Sequence, residues 1–560
     1  MSSAEKLKRF GFRTTRGRRV DTLFVNGAVF DGTTYRRGLA VAVKNGRIAA
    51  IGPDIGQRAG AEIVDLDGGL LLPGFVDAHV HPLQGGFERA HCDLSPLSGL
   101  PQYQQKIAEY AAAHPERPWI EGGGWQQPDF PGGTPFATDL DAVTGDRPAF
   151  LVNADHHGAW ANSKALQLAG IDATTPDPPD GRIERDRDGN PTGTLHEGAM
   201  RLVSRLLPPA DHSEAVAALL DAQAYLHSFG ITGWQDAILG AYANLGDATA
   251  AYVELAEDGR LTARVNGALW WERDRGAEQI PELIHRRDKL NYPRFRARTV
   301  KIMQDGVAEN HTAAMLDPYF DGCGCRTGNS GISFVDPIQL QQHVTDLDAA
   351  GFQIHVHTIG DRAAREALDA FEKAQASNGS NDNRHHIAHL QVIHPDDIPR
   401  FAKLNVAANM QALWAVYEPQ MNDLTIPFLG PERTGWQYPF KSLQAAGARL
   451  VAGSDWPVSS PNPLEAIHVA VNRRTDADDD PFLPEQAIDL ATALSAYTQG
   501  SAWVNHADDT GRIAVGALAD LAILDRDLFT APTDEINTAR VRATYVEGEL
   551  VFGPDQIGRS

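Results

Sequence analysis

Apolar residues follow two different patterns along the chain. At both ends, in residues 21–70 and 507–560, they alternate with polar residues and are interrupted by glycine and aspartate. A period of two is typical of strands with one buried face, and Asn45-Gly46 is a common signal for a hairpin turn. Because both ends share this pattern, we predict one small, discontinuous β-sandwich built from 21–70 and 507–560.

In the middle of the chain, short apolar runs alternate with amphipathic helical segments. This alternation is typical of βα units and a parallel sheet, and eight such units form a barrel. We therefore predict an α/β fold, a (β/α)8 TIM-type barrel formed by 71–101 and 203–506. The eight predicted strands are GFVDAHVH, ITGWQDA, ARVNGALWW, RARTVKIMQDG, FQIHVHTIG, NRHHIAHLQVI, NVAANMQALW and ARLVAGSDWPV.

The first two predicted barrel strands are much further apart along the chain than a βα connection requires. The segment 102–202 between them contains the Pro- and Gly-rich tracts PDFPGGTP and TTPDPPDG, together with helical and strand-like pieces. Loops that follow barrel strands build the active site in this fold. We predict that 102–202 forms an insertion subdomain over the active site.

The charge of the chain limits the kinds of partner it can bind. It has 50 Lys and Arg against 73 Asp and Glu, a formal net charge of −23, which disfavours nucleic acid and anionic membranes. Residues 1–20 are an exception and are predicted to be a basic tail, since no apolar core follows them as in a secretory signal. No apolar run approaches the ~20 residues that cross a bilayer. These features predict a cytoplasmic protein that acts on a small molecule.

The chain has three cysteines, Cys92, Cys323 and Cys325. An odd count in a long chain argues against a disulfide framework and for a reducing compartment. We interpret Cys323 and Cys325 as loop thiols, with a redox or metal-binding pair as the alternative. Base rates for oligomers favour a homodimer.

Residue types that bind metals stand at the ends of several predicted barrel strands. His79 and His81 are two residues apart and therefore lie on the same face of the first strand. Carboxyl ends of parallel barrel strands meet at one end of the barrel, where active sites form. Imidazole and carboxylate ligands together suit zinc, manganese, iron or cobalt, and zinc is the default for such a site. The candidates, in chain order, are His79, His81, Lys301, His355, His357, His389 and Asp455.

Several motifs together resemble a known family. GFVDAHVHP, HTIGDRA, HHIAHLQ and GSDWPV are similar to those of the metal-dependent amidohydrolase superfamily. HHGAWANSKAL, GNPTGTLHEGA, TVKIMQDGVAENHTAAMLDPYFDG and ADLAILDRD resemble the branch that includes N-substituted formamide deformylase. The resemblance extends over nearly the whole chain from residue 21 onward.

The resemblance implies a centre of two Zn²⁺ ions. It assigns His79 and His81 to the more buried metal, adds His357, His389 and Asp455 as ligands, and makes Lys301 a carboxylated, bridging lysine. A lysine with its ordinary pKa of ~10.4 is a cation and must first lose its proton. Alternatively, the Lys301 ammonium pairs with Asp305 or Glu197, and Glu197 is then the bridging carboxylate.

The expected reaction is hydrolysis of a non-peptide C–N bond, in an amide, N-acyl or N-formyl amine. Metals supply hydroxide at neutral pH and polarise the carbonyl, and Asp455 acts as general base and then general acid. The alternatives are a mononuclear, deaminase-type hydrolase and a catalytically silent scaffold. The predicted substrate contacts are His157, Glu197, Glu309, His311, Tyr319, His355 and Trp456.

Overall fold

A computed structural model describes residues 22–53, 55, 61–241 and 246–554. The predicted basic tail, 1–20, lies outside the described residues. Among the described residues, no helix combines the length and the apolar character that a membrane span requires.

The centre of the fold is an eight-stranded parallel sheet in which the strands follow one another in chain order. The Asp455 N–H donates to the His79 carbonyl (2.8 Å) and the His81 N–H donates to the Trp456 carbonyl (2.8 Å), so the first strand is tied to the segment after the last. The predicted TIM-type barrel is confirmed. Its strands are Phe75–Val80, Ile231–Leu239, Arg264–Trp270, Phe295–Met303, Gln353–Thr358, His386–His389, Ala407–Met410 and Leu450–Ala452.

Amphipathic helices pack around the barrel and bury their apolar faces against it. Asp211 and Asp336 accept hydrogen bonds from backbone N–H groups in the first turns of two of them, which fixes where these helices begin. The α-helices of the barrel and its connections are Pro82–Ala90, Arg201–Ser204, His212–Ser228, Thr249–Glu257, Ile280–Lys289, Pro337–Ala349, Asp361–Asn378, Ile398–Lys403, Ile426–Thr434, Phe440–Ala445, Pro463–Asn472, Leu490–Ser495 and Ser501–Val504.

The two ends of the chain meet in a pair of sheets that share one core, in which Phe24 and Val41 from one sheet pack with Leu71 and Ile523 from the other. One sheet contains Thr22–Val25, Ala40–Lys44, Arg47–Gly52 and Glu62–Asp65. The other contains Ala28–Phe30, Tyr35–Arg37, Leu70–Pro73, Leu521–Leu524, Val541–Val546 and Glu549–Phe552. Strands from both termini therefore build one β unit.

A further six-stranded sheet, here called the insertion sheet, lies between the first and second barrel strands in the sequence. Its first strand, Cys92–Asp93, precedes residue 102, the predicted start of the insertion. The remaining strands are Ile120–Trp125, Ala149–Asn153, Gly158–Ala161, Gly181–Arg185 and Pro191–Glu197, and the α-helices between them are Leu100–Ala113, Ala137–Thr144 and Ser163–Ala169. The turn between Asn153 and Gly158 reaches the mouth of the barrel.

Candidate metal centre

The six residues expected to bind metal line one cavity of about 280 Å³, here called the metal cavity. They lie at, or just after, the carboxyl ends of the first, fourth, fifth, sixth and eighth barrel strands, which a closed parallel barrel brings together. These residues are His79, His81, Lys301, His357, His389 and Asp455.

Asp455 lies at the centre of the group. Its Oδ1 is 3.0 Å from His79 Nε2 and 2.9 Å from His81 Nε2, and its Oδ2 is 3.8 Å from His389 Nδ1. Asp455 Oδ1 and both ring nitrogens of His389 are nevertheless buried without a hydrogen bond of acceptable geometry. Buried polar atoms are rarely left unsatisfied, because burial removes their hydrogen bonds to water. Ligand atoms of His79, His389 and Asp455, one from each residue, lie within 4.8 Å of one another, which fits a bound cation.

The protonation states also fit a cation. Burial, together with the positive charge of Lys301, lowers the pKa of His79 to about 3. Burial likewise lowers the pKa values of His81, His357 and His389, so these imidazoles are neutral. Burial alone would raise the pKa of Asp455, but the neighbouring histidines hold it well below its usual range. Neutral imidazole and charged carboxylate are the forms that bind metals.

Lys301 is 3% exposed, and burial lowers its pKa to about 7 against the opposing effect of Asp455. A neutral amine is therefore accessible near neutral pH. The two acids considered as its partners are engaged elsewhere. Asp305 accepts a hydrogen bond from His357 Nδ1 (3.2 Å), and Glu197 contacts His157 Nδ1 at 3.0 Å through both carboxylate oxygens.

His355 lies beneath the cavity and does not line it. Its Nε2 is 2.9 Å from His79 Nδ1, and its Nδ1 is 2.7 Å from Gln235 Oε1. This contact occupies Nδ1 of His79 and leaves Nε2 of that ring facing Asp455. A partner on the second ring nitrogen fixes the tautomer and orientation of a ligating histidine.

The insertion contributes His157 to the cavity wall, and Glu197 lies directly behind it. Burial alone would lower the pKa of His157, but the Glu197 carboxylate raises it to about 9. Glu197 also accepts a hydrogen bond from Thr312 Oγ1 (2.9 Å). The two side chains form a buried ion pair that fixes the insertion against the loop after the fourth barrel strand.

Part of the cavity wall is apolar. Trp414 lies nearly parallel to the ring of His389, with 5.4 Å between the ring centroids. The wall also contains Trp270, Leu413 and Met421. Glu309 and Glu418 line it too, and burial raises the pKa of Glu418 to about 7.

Five of the seven predicted substrate contacts do not line the metal cavity: Glu197 and His355, whose contacts are described above, and Tyr319, His311 and Trp456. The Tyr319 hydroxyl donates a hydrogen bond to the Ala313 carbonyl (2.8 Å) within the core. His311 faces a neighbouring opening that shares Glu309 with the metal cavity. Trp456 packs against Tyr225, with 5.5 Å between the ring centroids.

Cys323 and Cys325 are exposed residues with free thiols. Their backbone N–H groups donate hydrogen bonds to the Asp321 carboxylate.

The structure also places in the wall several residues that sequence reasoning did not select. His156 is adjacent to the selected His157, so the HH pair was a visible signal, and both of its members line the cavity. Nothing in the pattern of the sequence singled out the other residues. They include Gln84, Gln126, Asp155, Gln391, Glu418 and Tyr438.

The chain is similar to known proteins over most of its length. The amidohydrolase family model matches residues 62–552. The chain is 30% identical to putative amidohydrolase YtcJ of Bacillus subtilis, covering 88% of this chain and 90% of that protein. It is 27% identical to N-substituted formamide deformylase of Arthrobacter pascens, with coverages of 92% and 94%. An uncharacterized metal-dependent hydrolase from Pyrococcus furiosus superposes with a TM-score of 0.68 at 27% identity, covering 90% and 99%. This chain therefore belongs to the amidohydrolase family and is a metal-dependent hydrolase that acts on carbon–nitrogen bonds.

Proposed function

We propose that the protein hydrolyses the amide bond of N-acyl or N-formyl amines that carry an apolar group on nitrogen, using two Zn²⁺ ions. The observation that carries this proposal is the convergence of neutral imidazoles, the charged Asp455 and the low-pKa Lys301 on one cavity. The relative named N-substituted formamide deformylase supports the choice of substrate class.

The histidines of the donor set would divide into two pairs, with the Lys301 side chain available to both. His79 and His81 would hold one ion with Asp455, and His357 and His389 would hold the other. Addition of the neutral Lys301 amine to carbon dioxide forms an N–C bond, releases one proton and leaves a carboxylate-like group that can join the two. When bound, the ions supply an acidified water and polarise the substrate carbonyl.

Asp455 is suited to move the proton. Its carboxylate remains charged inside the cavity, and its Oδ1 has no hydrogen bond to a protein donor. It can therefore accept a proton from the attacking water. The same carboxyl group then donates this proton to the departing nitrogen, so that a neutral amine leaves rather than an amide anion.

The apolar wall orients the substrate. Trp270, Trp414 and Met421 offer an aromatic and a polarisable surface to a group attached to nitrogen. Burial of such a group removes apolar surface from water and excludes water from the cavity. An N-benzyl or N-aryl formamide fits this wall better than an unsubstituted formamide does.

The test measures release of amine from a panel of N-formyl and N-acyl amines by zinc-loaded protein. Asp455→Asn should lower kcat by about 10²–10⁴-fold, the usual contribution of a positioned acid-base group. Asp396→Asn, on the exposed surface, is the matched control. Full turnover by Asp455→Asn would refute the role of this residue, and no turnover of any panel member by wild type would refute the substrate class.

A second candidate is a one-metal, deaminase-type hydrolase. Ligand atoms of His79, His389 and Asp455 lie within 4.8 Å of one another, which is enough for a single ion. Metal analysis distinguishes the one-metal from the two-metal centre. One ion per chain, both in the wild type and in Lys301→Ala, would support the one-metal centre. The cytoplasmic location and the homodimer stay predictions.

A further inference from the structure

A second cavity lies at the opposite end of the barrel from the metal cavity. It has a volume of about 360 Å³ and is lined by residues from the beginnings of the first four barrel strands, including Val76, Gly233 and Val265. Arg47, Asp520 and Glu547 of the β-sandwich region form its other side. The metal ligands follow the carboxyl ends of the same barrel, so the two cavities are separate.

The lining of this cavity is strongly basic, and we call it the arginine cavity. Five arginines and one histidine face three acids, although the whole chain has a net charge of −23. The basic residues are Arg47, Arg264, Arg294, Arg296, Arg298 and His506.

All three acids of the arginine cavity are already paired. Asp520 accepts from Arg264 at 2.8 Å, and Glu547 Oε1 lies 2.8 Å from Arg264 and 3.3 Å from Arg294. The third acid, Asp509, is 3.5 Å from Arg47. These contacts balance three arginines against three carboxylates and leave no acid of the lining for Arg296 and Arg298.

Arg296 and Arg298 lie on one face of the fourth barrel strand. They alternate with Phe295 and Ala297, which are both 0% exposed in the core. Two guanidinium groups at positions i and i+2 of a strand project to the same side. Neither side chain forms an ion pair within the described ranges of the chain.

Arg294 and Arg298 each lie near other positive charges, and the side chains of Arg296 and Arg298 are exposed to solvent. Burial lowers the pKa of Arg298, and the positive charges of Arg296 and Arg287 lower it further. Burial also lowers the pKa of Arg294, which the Glu547 carboxylate opposes and Arg264 reinforces. An anion placed between these guanidinium groups would relieve the repulsion.

We propose that the arginine cavity binds a small polyvalent oxyanion, held by Arg296 and Arg298. Guanidinium groups match phosphate and carboxylate oxygens with two parallel N–H···O bonds. A cavity of about 360 Å³ has room for an organic group attached to the anion. The ligand class is therefore a phosphorylated or polycarboxylated small molecule, bound away from the hydrolytic centre.

The experiment uses inorganic phosphate and citrate as probes on the full, zinc-loaded chain. Calorimetric titration at constant ionic strength should detect binding of at least one of them, whereas chloride should give no saturable signal. The double variant Arg296→Gln/Arg298→Gln should weaken that binding at least tenfold. Arg187→Gln/Arg205→Gln removes two exposed charges outside the arginine cavity and should leave the binding of the anion unchanged.

The two probes separate the sources of the anion, since stronger binding of phosphate points to a phosphorylated ligand and stronger binding of citrate to a polycarboxylate. The melting temperature and zinc content of each variant show that it is folded. Absence of saturable binding to wild type would overturn the proposal, as would equal affinity in a folded Arg296→Gln/Arg298→Gln variant. If Arg187→Gln/Arg205→Gln weakened anion binding as much as Arg296→Gln/Arg298→Gln does, the effect would be one of net charge only. That result would also overturn the proposal.

Discussion

Gly453 follows the last barrel strand, at the point where the barrel closes. A Cβ at this position would lie 2.5 Å from the backbone nitrogen of His79 and 2.7 Å from its Cβ. The next residue, Ser454, donates its N–H to Asp77 Oδ1 (3.0 Å), and the Asp455 N–H donates to the His79 carbonyl (2.8 Å). The close approach allowed by this glycine therefore sets the position of Asp455 relative to His79.

The substitution Gly453→Ala tests this reasoning. Ordinary contacts of a Cβ begin at 3.4 Å, so the two segments must separate by about 0.9 Å to admit the methyl group. Overpacking of this kind costs about 1–3 kcal/mol of folding free energy. A displacement of ~1 Å between catalytic groups can lower turnover by about 10²-fold. We expect Gly453→Ala to fold, to melt at a lower temperature and to lose most of its activity.

The assay compares kcat/KM, zinc content and melting temperature of Gly453→Ala with those of Gly328→Ala. Gly328 has open space around the added Cβ, and its substitution should change none of the three quantities. Wild-type kcat/KM in Gly453→Ala would refute the claim that this contact positions Asp455. If activity and melting temperature fell in both variants alike, the effect would not come from the contact with His79.

Three further changes have defined outcomes. His355→Phe removes the partner of His79 Nδ1 and should lower zinc affinity by about 10–100-fold in a chelator titration, and unchanged affinity would contradict the positioning role. Glu197→Gln should melt at a lower temperature than the wild type at pH values below the ordinary histidine pKa. At these pH values the ion pair between Glu197 and His157 stabilises the wild type in full. This difference should shrink as pH rises through about 9, where His157 loses its proton in the wild type. A chelator should lower the wild-type melting temperature and added zinc should restore it, because a ligand that binds only the folded state stabilises it.

The barrel was predictable because its strands carry local signals. Each of the eight apolar runs became a barrel strand, and the period of two placed His79 and His81 on one face. The parallel arrangement then required Lys301, His357 and His389, near the carboxyl ends of their strands, to meet at one end of the barrel. Position along a strand and strand direction are local properties, and together they identified the metal-ligand candidates.

The cavity wall was much less predictable. Trp414 and Glu418 come from the connection between the seventh and eighth strands, and His156 comes from the insertion. Tyr319 and Trp456 belong to motifs next to the centre, yet their side chains pack away from the metal cavity. The direction of a loop side chain depends on which remote segment packs against it, and no local period records that.

The sequence by itself determined the barrel, the pairing of the chain ends in one β unit and the residue types available to bind metal. It did so because apolar periodicity and strand order act over short distances along the chain. Only the tertiary structure decided the partner of each titratable group: Asp305 engages His357, Glu197 engages His157, and Lys301 is paired with neither acid. Electrostatic interactions and burial depend on distances in space between segments that are far apart in sequence, and packing alone sets those distances.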